Sequence, residues 1–173
     1  TVRALNLPLL GKVIYLDPGH GGADPGALYG NLYESNVNLE LAFVLQEELE
    51  KNGAIVYMTR YDDYDLASIG ASLRKRSDLS NRAKVINDSN ADLYISIHLN
   101  SSTSSKWNGV QLFYDDINTK NYEIAKSSQD VFKGKREALK VNDKYLYKRV
   151  TIPGVLVELG FLSNSNDRQI LMN

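Results

Sequence analysis

Two histidines and two glutamates stand where this sequence could build a hydrolytic metal centre: His20, Glu34, His98 and Glu158. His20 lies in Leu16-Asp17-Pro18-Gly19-His20-Gly21-Gly22-Ala23-Asp24-Pro25-Gly26-Ala27, where dense Gly and Pro predict an irregular loop leaving a strand end. His98 closes the apolar run Leu93 to Ile97, and the chain holds only these 2 histidines. With 0 cysteines, any metal must be held by imidazole and carboxylate, a donor set that suits zinc among others. Glu158 ends the apolar Val155-Leu156-Val157, where a charge is expensive unless it is paired or at work. Glu34 stands just before a predicted helix, where the helix dipole favours a carboxylate. Two His and one Glu with an open fourth position form a known catalytic zinc shell, and a further carboxylate beside it can act as general base. Taken singly, each histidine reads as structural and Glu34 as an ordinary acidic residue. No H-E-x-x-H or H-x-x-E-H run occurs, so the fold itself has to gather the four.

The elements that would do this alternate. Strands are expected at about Lys12–Leu16, Ala54–Met58, Leu93–Ile97, Gly109–Tyr114 and Val155–Glu158, from their short apolar runs. A helix N-capped by Ser35 or Asn36 is expected to run to about Lys51, with Val37, Leu41, Val44 and Leu45 on one face. Further helices are expected at about Leu73–Asn87, with Leu79, Ala83 and Ile86 inward, and at about Thr119–Lys133. A last one begins at about Asp167, and the stretch 134–148 is left unassigned. This alternation predicts a three-layer α/β fold: a mainly parallel central sheet with helices on both faces. If the first, third and fifth strands are neighbours, His20, His98 and Glu158 share one sheet edge.

Composition narrows the function. A chain of 173 residues with 43% hydrophobic residues is most simply a single soluble domain. A net charge of −1 gives no general attraction to nucleic acid, and no apolar run is long enough to span a membrane. The chain opens on Thr1, so an export signal is not to be looked for in it.

Several runs then become recognisable together. Asp17-Pro18-Gly19-His20-Gly21-Gly22, Asp24, Gly26-Ala27 and Glu34 resemble the opening of the zinc-dependent N-acetylmuramoyl-L-alanine amidases with a type-3 catalytic domain. Thr59-Arg60 follows, then Leu79, Arg82, Asn87, Ala91-Asp92, Ser96-Ile97-His98 and Asn100. Pro153, Val155-Leu156-Val157-Glu158 and Gly160-Phe161-Leu162-Ser163-Asn164 are similar to the family's closing block. The matches keep their order over nearly the whole chain.

The resemblance implies that His20, Glu34 and His98 hold one Zn²⁺ per chain and that Glu158 is the catalytic glutamate, while Asn100 is expected either to contact substrate or to cap its own loop. The implied reaction is hydrolysis of the amide between N-acetylmuramic acid and L-alanine in peptidoglycan, on the extracytoplasmic side, in the wall or the spore cortex. The alternatives are a zinc peptidase or deacetylase on another peptidoglycan amide, or a silent wall-binding module. The compact build is similar to the germination-specific branch. Asp17 or Asp24 is expected to orient a ligand histidine. Arg82 is expected to form an ion pair, and Trp107 either to stack on a sugar or to be a plain surface aromatic. Residues 1–173 read as one catalytic domain lacking part of the family's terminal helix, and an apolar seam left there would invite an accessory protein partner.

Overall fold

The computed structural model describes residues 7–132, 136–141 and 146–172. Part of the unassigned stretch 134–148 therefore lies outside the described residues. In chain order the elements are β1 (Val13–Pro18), β2 (Leu28–Tyr29), β3 (Leu32–Tyr33), α1 (Glu34–Lys51), β4 (Ile55–Met58) and α2 (Arg74–Asp88). There follow β5 (Leu93–Asn100), β6 (Gln111–Tyr114), α3 (Asn121–Val131), β7 (Leu139–Lys140), β8 (Gly154–Phe161) and α4 (Ser165–Leu171).

The main sheet runs β4-β1-β5-β8-β6-β7. β4, β1, β5 and β8 are parallel neighbours, and β6 lies antiparallel to β8 with β7 parallel to β6. The expected adjacency of the first, third and fifth strands holds. The chain leaves β1 to one side for β4 and returns to the other side for β5. The carboxyl ends of β1 and β5 therefore flank the crevice where α/β sheets bind ligands.

Both faces are covered. Leu16, Val56, Ile97 and Val157 pack with Ala42 of α1 and Ala125 of α3 on one face. On the other, Tyr94 and Leu156 pack with Ala83 and Ile86 of α2. Leu16 and Ile97 are wholly buried, each worth roughly 1.5–3 kcal/mol relative to exposure. Double coverage suits apolar runs such as Val155-Leu156-Val157 of β8, while β5 interleaves Ser96 and His98.

Three expectations are corrected. Neither Ser35 nor Asn36 caps α1: the helix begins at Glu34, and the histidine loop does the capping, with Pro25 and Ala27 carbonyls accepting from Ser35 and Glu34 N–H. Val44 points to solvent at 66% exposure, because the buried face of α1 runs instead through Val37, Asn38 and Ala42. The last strand does not stop at Glu158 but continues to Phe161, held by a register shift opposite His98 and Asn100. The small β2–β3 hairpin, absent from the expected elements, is tied down by Arg168 of α4 stacking 3.7 Å from the Tyr29 ring.

Candidate metal centre and active site

His20 leaves β1 two residues past its end, Glu34 opens α1, and His98 sits on β5. Their donor atoms converge. One oxygen of Glu34, Oε1, lies 3.2 Å from His20 Nε2 and 3.1 Å from His98 Nδ1. All three donor atoms lie within 4.8 Å of one another. Ligands on zinc at 2.0–2.1 Å in a tetrahedral shell are separated by about 3.3 Å. The spacing and the donor chemistry therefore fit a zinc ion shared by two nitrogens and a carboxylate oxygen.

The surroundings fix each donor. Glu34 Oε1 accepts from Leu99 N–H at 3.0 Å, and Oε2 accepts from Ala27 N–H at 2.8 Å. Asn38, one turn along α1, donates to the same Oε1 at 3.4 Å and to the Gly19 carbonyl at 3.2 Å. His20 Nδ1 lies 3.1 Å from Asp24 Oδ2, which also receives Lys75 Nζ at 2.9 Å. Asp24, then, is the expected histidine partner. Asp17 is not: it faces Thr59, Arg82 and Ser96 instead. Two glycines make the necessary room. A Cβ on Gly19 would come within 2.2 Å of His98 Cε1, and one on Gly26 within 2.6 Å of Glu34 Oε2.

The charges agree with this geometry. Burial would push the Glu34 carboxyl up, but the hydrogen bonds and charges of His20 and His98 outweigh it and hold it well below the usual carboxylate range. Asp24 is opposed by burial in the same way, yet Lys75 and His20 bring it down to about 2. Burial works against charge on His20, and Glu34 and Asp24 overcome it, raising its pKa. A carboxylate kept ionised between two imidazoles is a place that favours a cation.

Glu158 stands beside His98 in the β5–β8 register and lines the same cleft, of about 360 Å³. It does not belong to the three-residue donor group. Asn100 also lines this cleft, and its Oδ1 accepts from the Ser101 N–H at 2.9 Å, so it caps its own loop. Arg82 is the ion-pairing residue expected, and it is buried, with Nη1 2.8 Å from Asp17 Oδ1. Trp107 is 57% exposed, with the Arg136 guanidinium 5.7 Å from its ring. Sequence reasoning missed Asn38, Arg60 and Lys75. Only Arg60, in its Thr-Arg pair after a strand, carried any signal.

Comparison with known proteins agrees with this architecture. Residues 14–173 match the family model described as N-acetylmuramoyl-L-alanine amidase (Amidase_3). The chain is 48% identical over 174 residues to the germination-specific N-acetylmuramoyl-L-alanine amidase of Bacillus subtilis (strain 168), covering 96% of this chain and 73% of that one. Among solved structures, it superposes with a TM-score of 0.87 and 36% identity on the CwlD amidase of Clostridioides difficile, solved in complex with the GerS lipoprotein. That match covers 94% of this chain and 89% of the other. The catalytic domain of CwlV, from Bacillus (Paenibacillus) polymyxa var. colistinus, matches with a TM-score of 0.71 and 28% identity over 94% of this chain and 87% of that one. With the family model spanning almost its whole length and the three donors gathered at the switch point of its sheet, the chain belongs to the N-acetylmuramoyl-L-alanine amidase family, Amidase_3.

Proposed function

We infer that this chain hydrolyses the amide joining the lactyl group of N-acetylmuramic acid to L-alanine in peptidoglycan, using one zinc ion held by His20, Glu34 and His98. The observation that carries the reading is the convergence of His20 Nε2, Glu34 Oε1 and His98 Nδ1, with Glu158 next to it, in a chain of this family. Zinc bound there supplies a Lewis acid for the scissile carbonyl and lowers the pKa of water toward ~7.

The rest is done by the chain. Asp24 accepts the Nδ1 proton of His20 and so leaves Nε2 free to act as donor. Leu99 and Ala27 N–H groups hold the two oxygens of Glu34 in place. Glu158 takes a proton from the attacking water at its carboxylate and returns it to the nitrogen of the departing L-alanine. Leu79, Leu146 and Leu156 form an apolar wall of the cleft against which the substrate's methyl groups rest. Asn100 contacts the substrate amide from the cleft rim.

Residues 1–173 act as one catalytic domain on the extracytoplasmic side. The 48% identity to a germination-specific amidase supports a role in spore-cortex peptidoglycan. The relative solved with a lipoprotein supports an accessory protein partner for this chain too.

The test is Glu158→Ala assayed on purified peptidoglycan, with zinc content measured alongside. Turnover should fall by roughly 10²–10⁴-fold while one zinc per chain is retained. New L-alanine amino termini in the wild-type digest identify the amidase. Cuts inside the stem peptide would identify a peptidase instead, and undiminished turnover by Glu158→Ala would remove Glu158 from its role.

A further inference from the structure

The loop that carries His20 is built against its own preferences. His20 has φ 64, a left-handed conformation that costs a non-glycine residue on the order of 1 kcal/mol or more, and Gly21 and Gly22 follow at φ 122 and 58. The carbonyls of Pro18, Gly19 and His20 accept from side chains, with Asn38 donating to Gly19 from α1. Two guanidinium groups supply the other bonds. Arg60, wholly buried after β4, donates from Nε to the Pro18 carbonyl at 2.9 Å and from Nη2 to the Gly19 carbonyl at 3.1 Å. The same Nη2 donates to the Ser35 carbonyl at 2.6 Å, next to Glu34. Arg82, on α2 and 1% exposed, donates to the Pro18 carbonyl at 2.9 Å and to the His20 carbonyl at 2.6 Å.

The frame reaches the third donor as well. Arg82 holds Asp17 at 2.8 Å, and the other oxygen of Asp17 accepts from Ser96 Oγ at 2.8 Å, two residues before His98 on β5. Asp78 takes the remaining edge of Arg82, with Nε 3.0 Å from both carboxylate oxygens. Arg82 thus faces two buried carboxylates, Asp17 and Asp78, while Arg60 is held by main-chain carbonyls, and together they tie the chain next to His20 and Glu34, and Ser96 near His98, into one network. A buried charge is costly unless compensated; Arg82 is compensated by two carboxylates, and Arg60 by the carbonyls it binds. A lysine could keep the charge but has no second or third nitrogen with which to bridge such partners.

We propose that Arg60 and Arg82 are positioning residues for the metal, setting the donor geometry of His20 and Glu34 through the main chain without touching metal or substrate. The proposal rests on the zinc reading above. It is tested with Arg60→Lys and Arg82→Lys, measuring zinc Kd by chelator competition and the visible spectrum of the Co²⁺-substituted protein. Thermal unfolding of the metal-free chain is followed in parallel. Ile86→Ala serves as the control, since it opens a cavity under α2 beside Ala83, Tyr94 and Val150 without removing any bond of the arginine frame.

Both arginine variants should bind zinc some 10–100-fold more weakly, the range for lost support around metal ligands, with a changed Co²⁺ spectrum. Hydrolysis should return to within a few-fold of wild type at saturating zinc. Ile86→Ala should lower Tm and leave Kd unchanged. Folded arginine variants with wild-type Kd and spectrum would overturn the positioning role, as would an equal weakening in Ile86→Ala. Should the lysine variants not fold, Ser96→Ala removes one bond of the same frame. A few-fold rise in Kd is then expected, and no rise overturns the proposal. A wild-type chain that binds no zinc would instead overturn the metal site itself.

Discussion

His98 can lie against the histidine loop only because residue 19 has no side chain. A methyl group there would sit 2.2 Å from the imidazole, so Gly19→Ala must push the ring away from Glu34. Zinc affinity of that variant, read by chelator competition, should drop on the order of 10–100-fold. The grouping of His20, Glu34 and His98 was reached through the family resemblance, since singly each histidine reads as structural and Glu34 as an ordinary acidic residue. Asn38 was not legible, and Arg60 appeared only as a Thr-Arg match without a role, because both act on main-chain carbonyls of a loop whose path no local pattern encodes. A buried arginine in a sequence looks the same as a surface one until its partners are in place. Asp24 lay between these cases. It was one of two aspartates that could reach a histidine, and only the Gly21–Asp24 bridge, which folds the loop back on itself, decides between them.

At the scale of elements, the central strands were readable and the ends of elements were not. Apolar runs locate β1, β5 and β8, but their lengths depend on pairing: β8 continues past Glu158 because Asn100 of β5 pairs with Phe161. The start of α1 depends on carbonyls of a loop, which explains why Ser and Asn at positions 35 and 36 misled. Two-residue strands such as β2 and β3 are too short for any periodicity to register. β1 delivers His20, and Leu16 is its wholly buried anchor between β4 and β5. Leu16→Ala should reduce the unfolding free energy by about 2–5 kcal/mol, measured by urea titration, through the cavity it leaves.

For the whole molecule, the three-layer class followed from alternation, whereas the reversed direction of β6 and β7 did not. Strand direction is set by how a connection returns over the sheet, and no residue type records that. The assembled fold also creates an acid sensitivity. Burial pushes the Asp17 carboxyl up, but Arg82, Thr59 and His98 more than compensate, so its folded pKa lies below the ordinary value of about 3.9. Such a group contributes stability above its unfolded pKa, and that contribution disappears as pH falls through the lower folded value. Urea midpoints measured from pH 7 downward should therefore fall below about pH 4 in the wild type. Asp17→Asn should start lower at pH 7 and show a shallower fall over the acid range.

The strand order carries a consequence in time. His20 and Glu34 lie on one short stretch, joined through the first loop and helix, while His98 reaches them only once β5 has closed on β1 from far along the chain. β8, which brings Glu158, pairs with β5 from still farther along the chain, and long-range parallel pairings are slow to form. Two of the donors thus come from one local segment, and the third depends on a contact made across 64 residues. The three-donor group exists only where β5 has paired with β1, so the proposed metal site would report on the middle of the sheet and not on the histidine loop alone.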